Sequence, residues 1–187
     1  MTMDQRLTRR GLLGLIGAGA ALAAAPGLAA PATLRGKGDY RAIHLFSSRL
    51  GESVNTVYWI DGEYIPEALD EISHLLRDWR QDLVKPIDPR VIDILAEAHR
   101  KLDAAEPFEV VSGYRSPQTN AMLRRRSSGV ARNSYHIKAM AADVTMRSRS
   151  VEQMYRAGLS CHGGGVGRYS RSGFVHMDCG PVRSWGR

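Results

Sequence analysis

Phe108-Glu109-Val110-Val111-Ser112-Gly113-Tyr114-Arg115-Ser116-Pro117 compresses a strand, a turn and a helix start into ten residues. The β-rich run Phe108–Val111 predicts a short strand that breaks at Ser112-Gly113. Ser116 then offers an N-cap acceptor and Pro117 a first helical residue, which predicts a helix reaching about Arg126. Downstream, Ala141–Met146 reads as a buried strand, and Ser150 with Gln153 forms a capping box for a short helix over 151–157. Gly163-Gly164-Gly165-Val166-Gly167 predicts a turn, and Phe174–Cys179 a last strand. Upstream, Arg41–Phe46 and Ser53–Ile60 predict a hairpin ending at the Asp61-Gly62 turn. Ile65–Arg80 carries Leu69, Ile72, Leu75, Leu76 and Trp79 at helical spacing, with Pro66 suited to a first turn. A second helix opens at Asp88-Pro89, presents Val91, Ile92, Leu95, Ala98 and Leu102 on one face, and ends at Glu106-Pro107. Helices and short strands do not alternate regularly, so the predicted class is α+β and not a doubly wound parallel sheet.

Composition narrows the class further. The chain has 187 residues, 43% hydrophobic and 24% charged, close to an average soluble domain, which excludes collagen-like, disordered and disulfide-dense chains. A chain of this length buries enough surface to fold without a metal or disulfide, so any metal site calls first for a chemical explanation. Residues 1–30 read as an address. Arg6, Arg9 and Arg10 precede the apolar run Gly11–Ala25, and small residues follow Pro26-Gly27, the order of a secretory signal. The apolar run is too short to span a bilayer. Thr8-Arg9-Arg10-Gly11-Leu12-Leu13 resembles a twin-arginine export signal. Residues 31–40 form a polar lead-in, leaving 41–187 as the domain.

The formal net charge is +7, and removing residues 1–30, with three Arg and one Asp, leaves +5. A basic surface suits a polyanion. Outside the cytoplasm that favours anionic cell-wall polymer and argues against nucleic acid. Cys161 and Cys179 are the only cysteines, open to pairing or to remaining free thiols.

Of six histidines, His74 and His99 sit on predicted helices without partners at metal spacing, His44 has no chelating neighbour, and His162 flanks the glycine turn. His136 and His176 differ. In His176-Met177-Asp178 strand alternation puts His176 and Asp178 on one face, with Val175 and Met177 on the other. Asp143 lies seven residues after His136, too far for a shared metal on a helix, so the two converge only if Lys138–Ala142 turns. Two imidazoles and a carboxylate would make an open tetrahedral site with one position left for water, the pattern of a catalytic metal and not a structural one. The run Arg124-Arg125-Arg126 reads either as a grip for an anionic ligand or as cations at a helix C-terminus.

Five motifs then stand in order: Ser112-Gly113-Tyr114-Arg115-Ser116, Ser134-Tyr135-His136, Asp143, Gly164-Gly165-Val166-Gly167 and Phe174-Val175-His176-Met177-Asp178. Over residues 40–187 the chain resembles the murein endopeptidase K-like branch of peptidase family M15, the zinc D-Ala-D-Ala-peptidase-like metallopeptidases. The resemblance implies a small antiparallel sheet with flanking helices, of the D-Ala-D-Ala-peptidase/hedgehog type. It implies one zinc ion held by His136, Asp143 and His176. Arg115 would bind a substrate carboxylate or carbonyl oxygen, Asp178 would move the proton, and Tyr114, Ser134 and Tyr135 would contact substrate. The expected protein is a monomeric periplasmic peptidoglycan endopeptidase cutting peptide cross-links, with no membrane span once the signal is removed. A carboxypeptidase trimming stem peptides and a non-catalytic wall-binding module are the alternatives. Two departures from the family pattern stand out. Gly173 occupies the place where many relatives carry Glu, three residues before the last ligand. Others carry His-x-His at 176–178, which leaves open an exchange of roles between His176 and Asp178.

Overall fold

The computed structural model describes residues 39–127 and 129–186; the stretch expected to be an export signal and most of the expected lead-in lie outside the described residues. Strands β1 (Tyr40–Ser47) and β2 (Glu52–Ile60) form the expected hairpin, paired from Ser47↔Glu52 to Tyr40↔Ile60 with an irregularity at Arg41/Ala42. A two-residue strand, β3 (Glu63–Tyr64), folds back on β2. Helix α1 (Pro66–Leu75) stops five residues before its predicted end. Arg77 leaves the helical path to bond Glu52, Asp82 and the His74 carbonyl, while Asp78 turns inward to the Ser116 amide. Those polar contacts outweigh the helical spacing of Trp79.

Helix α2 (Pro89–Leu102) begins as predicted, with the Asp88 carboxylate accepting from the Arg90 amide, and ends where Asp103 turns left-handed. Strand β4 (Phe108–Ser112) and helix α3 (Pro117–Arg126) follow, with Ser116 Oγ accepting from the Thr119 amide. A single 3-10 turn over Tyr135–Lys138 precedes β5 (Ala141–Thr145), and α4 (Val151–Leu159) carries the predicted capping box. Strands β6 (Gly165–Tyr169), β7 (Phe174–Asp178) and β8 (Arg183–Gly186) complete the chain.

All eight strands join one sheet in the order β3-β2-β1-β4-β5-β7-β6-β8. The pairs β1/β4 and β6/β8 are parallel and the others antiparallel. The α+β class holds, but the sheet is wide and mixed, not the small antiparallel one expected. It is larger because part of the predicted glycine turn is strand β6, which gives β8 an edge to pair with.

One face of the sheet carries the core. Leu45, Phe108, Val144, Val175 and Met177 pack with Val91, Ile92 and Leu95 of α2 and Met154 of α4. Each such side chain contributes roughly 1.5–3 kcal/mol on burial. A Cβ on Gly158 of α4 would stand 3.1–3.2 Å from Val166 and Met177, so that helix rests directly on β6 and β7. Period-two alternation then sends Asp143, His176 and Asp178 to the opposite face, where β5 and β7 pair Asp143 directly with His176.

Candidate metal centre

Asp143 and His176 are neighbours because their strands pair in that register; His136 must be brought to them by the chain between 136 and 143. The 3-10 turn does this. Ser134 Oγ accepts from the His136 amide, and Ala139 adopts a left-handed conformation (φ 58°) that returns its own amide to the His136 carbonyl. The same carbonyl also accepts from the Arg115 amide, so the Ser112–Ser116 turn and the His136 turn are joined. Lys138–Ala142 is thus the turn that the His136–Asp143 spacing required.

Three donor atoms meet. His136 Nε2 lies 3.2 Å from Asp143 Oδ1 and 3.1 Å from His176 Nδ1, and His176 Nδ1 lies 2.9 Å from Asp143 Oδ1. Bonds of about 2.0–2.1 Å at tetrahedral angles place ligand atoms roughly 3.3 Å apart, so the trio has the spacing of three corners around one zinc-sized ion. It is the one group of three or more His, Cys, Asp or Glu donors so gathered among the described residues, and all three members are buried.

Hydrogen bonding on the far side of each ring fixes what faces the centre. His136 Nδ1 lies 2.7 Å from the Gly113 carbonyl, which can only accept, so that nitrogen carries the proton and Nε2 turns a lone pair inward. Burial, against the pull of Asp143, lowers the His136 pKa and keeps the ring neutral. His176 Nε2 lies 2.8 Å from Asp178 Oδ2 and donates to it, so its Nδ1 also turns a lone pair inward. Burial opposes the charge on Asp143, but the two rings outweigh it and hold that carboxyl below the usual carboxylate range. For His176 burial again opposes charge, yet Asp143 and Asp178 outweigh it and raise the pKa. With His176 neutral, two inward lone pairs and an ionised carboxylate within about 3 Å make a site that attracts a cation.

Around this trio lies a cleft of about 470 Å³ whose lining includes Ser134, Tyr135, Tyr169, Phe174, Arg183 and Trp185. A larger hollow of about 830 Å³ between the start of β1 and α2 touches none of the trio. Arg115 lines the cleft, its Nε donating to Ser112 Oγ and its Nη2 paired with Asp143 Oδ2, so it grips the outer oxygen of the carboxylate whose inner oxygen faces the centre. Ser134 caps the His136 turn from the cleft wall, and Tyr135 lies on Gly180, where a Cβ would meet its ring at 2.4 Å. Tyr114 does not line the cleft; its amide donates to the Leu76 carbonyl and its ring lies near Lys85.

Asp178 stands apart from the three converging donors, as the second partner of His176. It is fully buried, and its oxygens accept from His176 Nε2, the Gly165 and Gly180 amides and Arg183. Burial opposes its ionisation, but the bonds from His176 and Arg183 outweigh it and hold the carboxyl low. A carboxylate behind a histidine ligand fixes the ring's tautomer and orientation. Where sequence expected a proton carrier, the structure places a carboxylate with both oxygens bonded and no exposure to the cleft.

Gly173, where many relatives carry Glu, sits in the β6–β7 turn at φ +75°. His99 is occupied elsewhere, bonded to the Glu106 carbonyl and edge-on to Phe108. Cys161 and Cys179 are free thiols. No described helix is long and apolar enough to cross a membrane. Arg183 and Trp185 were not anticipated from sequence. The glycines at 165 and 167 were their signal, since a Cβ on Gly165 would meet the Arg183 guanidinium at 2.3 Å and one on Gly167 the Trp185 indole at 2.5 Å.

Residues 35–185 match the family model Peptidase_M15_2, described as peptidoglycan L,D-endopeptidase MepK. The chain is 40% identical over 179 residues to peptidoglycan L,D-endopeptidase MepK of Escherichia coli strain K12, covering 95% of this chain and 96% of that protein. The Shigella flexneri protein of the same name matches at the same identity and coverage. The probable peptidoglycan L,D-endopeptidase MepK of Haemophilus influenzae is 38% identical over 136 residues, 72% of this chain and 73% of that protein. No solved structure matches.

Proposed function

Because this chain belongs to the M15 peptidase family described as peptidoglycan L,D-endopeptidase MepK, we propose that it hydrolyses peptide cross-links in peptidoglycan with a single zinc ion. The observation that carries the reading is the buried convergence of His136 Nε2, Asp143 Oδ1 and His176 Nδ1 on one ion-sized point beside an open cleft. Zinc at three protein ligands lowers the pKa of a bound water to about 7 and polarises a carbonyl oxygen.

The chain's own residues supply the rest. The Gly113 carbonyl holds His136 in the tautomer that offers Nε2, and Asp178 does the same for Nδ1 of His176. Arg115 fixes Asp143 and sets a permanent positive charge at the cleft wall, where a tetrahedral intermediate gains negative charge. Ser134 and Tyr135, also in the cleft lining, are placed to contact the peptide. The order of the motifs along β4, β5, β6 and β7 supports the D-Ala-D-Ala-peptidase/hedgehog type of zinc fold. The charge pattern of residues 1–30 supports export by a twin-arginine-type signal, with 41–187 acting in the periplasm as the peptidase domain.

The test is hydrolysis of defined cross-linked muropeptides by purified protein, read by mass spectrometry. Cross-linked dimers should fall to monomers, stop doing so after chelation, and resume when zinc is restored. Zinc-loaded protein that leaves every cross-link intact would overturn the reading, and loss of only a terminal D-amino acid would point to a carboxypeptidase.

A further inference from the structure

Arg183 ends a row of hydrogen-bonded charges that runs through the metal centre. Arg115 pairs with Asp143, Asp143 faces His176, His176 Nε2 donates to Asp178, and Asp178 pairs with Arg183. A guanidinium thus stands at each end of the row, and both line the cleft. Apart from Asp143, which belongs to the trio, no carboxylate lines the cleft among the described residues. A ligand with carboxylates around its reacting bond would meet a guanidinium on either side of the trio here.

The fold goes to some length to hold Arg183 at this rim. Nη1 donates to Asp178 Oδ1 and the Pro181 carbonyl, both at 3.0 Å, and Nη2 donates to Asp178 Oδ2 at 2.7 Å. Its guanidinium lies against Gly165 and between the rings of Tyr135 and Trp185, 5.0 and 4.9 Å from their centroids. Trp185 is fixed in turn by its Nε1 donating to Tyr169 Oη. Those bonds leave Nε and one Nη2 hydrogen without a protein partner among the described residues, on a side chain 38% exposed. Asp178, by contrast, has no exposure with which to take a ligand.

Resting on the peptidase reading, we propose that Arg183 is a carboxylate-binding subsite for the leaving side of the substrate, selecting a cross-link whose scissile nitrogen sits on a carbon bearing a free carboxylate. A diamino dicarboxylic acid in the cross-link has that group; a simple diamino acid such as lysine does not. The reach fits. Arg183 Nη2 lies two hydrogen bonds and one imidazole ring, at most about 8 Å, from the centre-facing nitrogen of His176. A carboxylate on the carbon next to the scissile nitrogen lies roughly 4 Å from the carbonyl carbon, and a hydrogen bond adds about 3 Å.

The experiment compares two synthetic cross-linked peptides, identical except that the leaving diamino dicarboxylic acid carries either a free carboxylate or a carboxamide. Wild type should cleave the acid about 10- to 100-fold faster in kcat/KM, the range of one charge-assisted hydrogen bond. Arg183→Gln should remove that preference by slowing the acid far more than the carboxamide, and Arg183→Lys should keep part of it. Equal cleavage of both peptides by wild type would overturn the subsite while sustaining the peptidase reading, and needs no variant. Equal slowing of both peptides by Arg183→Gln would also overturn it, leaving Arg183 only a support for Asp178. Cleavage of neither peptide by zinc-loaded wild type would overturn both proposals.

Discussion

Replacing Gly113 with alanine tests how the site is held, because that residue touches the centre through its backbone alone. An added Cβ would lie 2.2 Å from the Leu76 carbonyl oxygen, about 1 Å inside ordinary contact. The oxygen has little freedom to retreat, since it accepts the Tyr114 amide at 2.7 Å. The chain must therefore move at 113, and its own carbonyl, 2.7 Å from His136 Nδ1, moves with it. Overpacking of this kind costs about 1–3 kcal/mol and the disturbed hydrogen bond about 1 kcal/mol more. For a domain of this length that lowers Tm by about 5–15 °C. Differential scanning fluorimetry reads the stability, and competition with a zinc chelator reads the affinity, which should fall about 10-fold or more because His136 loses its orienting partner. A variant with wild-type Tm and zinc affinity would refute the claim that the Leu76–Gly113 contact positions His136.

Further outcomes follow from other contacts. Asp178→Asn should weaken zinc binding by about 10- to 100-fold in chelator competition, with hydrolysis recovered at saturating zinc; lost turnover with unchanged affinity would return Asp178 to proton transfer. Asp78 is buried, and although burial opposes its charge, donors from the Ser116–Thr119 turn and the Arg80 amide hold its pKa below the usual value. Its stabilisation is therefore complete above pH 4 and fades as pH falls through the lowered folded value, so acid unfolding should be less steep for Asp78→Asn. With both thiols unpaired, reductant should leave the thermal transition unmoved, and a downward shift would reveal a disulfide.

Much of the site is legible in the sequence because its chemistry is local in type. His136, Asp143 and His176 are recognisable as donors, and the alternation Val175-His176-Met177 already separates core from site. Their meeting is less legible, because it depends on the left-handed Ala139 and on the Asp143↔His176 register, neither of which a propensity specifies. Gly163–Gly167 misled for a physical reason. Glycine marks turns by its backbone freedom, yet at 165 and 167 it serves inside a strand by lacking a side chain where Arg183 and Trp185 lie. Reading β6 as a turn hid β8 as well, and with it the Arg183 end of the cleft. The parallel join of β1 to β4 rests on contacts far apart in sequence that no single segment announces. Trp79 fits the stripe of α1, but Arg77 and Asp78 had partners waiting at Glu52 and Ser116, and the helix ends before it.

Anomalous scattering at the zinc edge from zinc-loaded crystals tests the central claim most directly. One peak per chain should lie about 2.0–2.2 Å from His136 Nε2, an Asp143 oxygen and His176 Nδ1, with Asp178 still bonded to the far side of His176. No peak between those three atoms, or a peak with Asp178 as a direct ligand in place of His176, would contradict it.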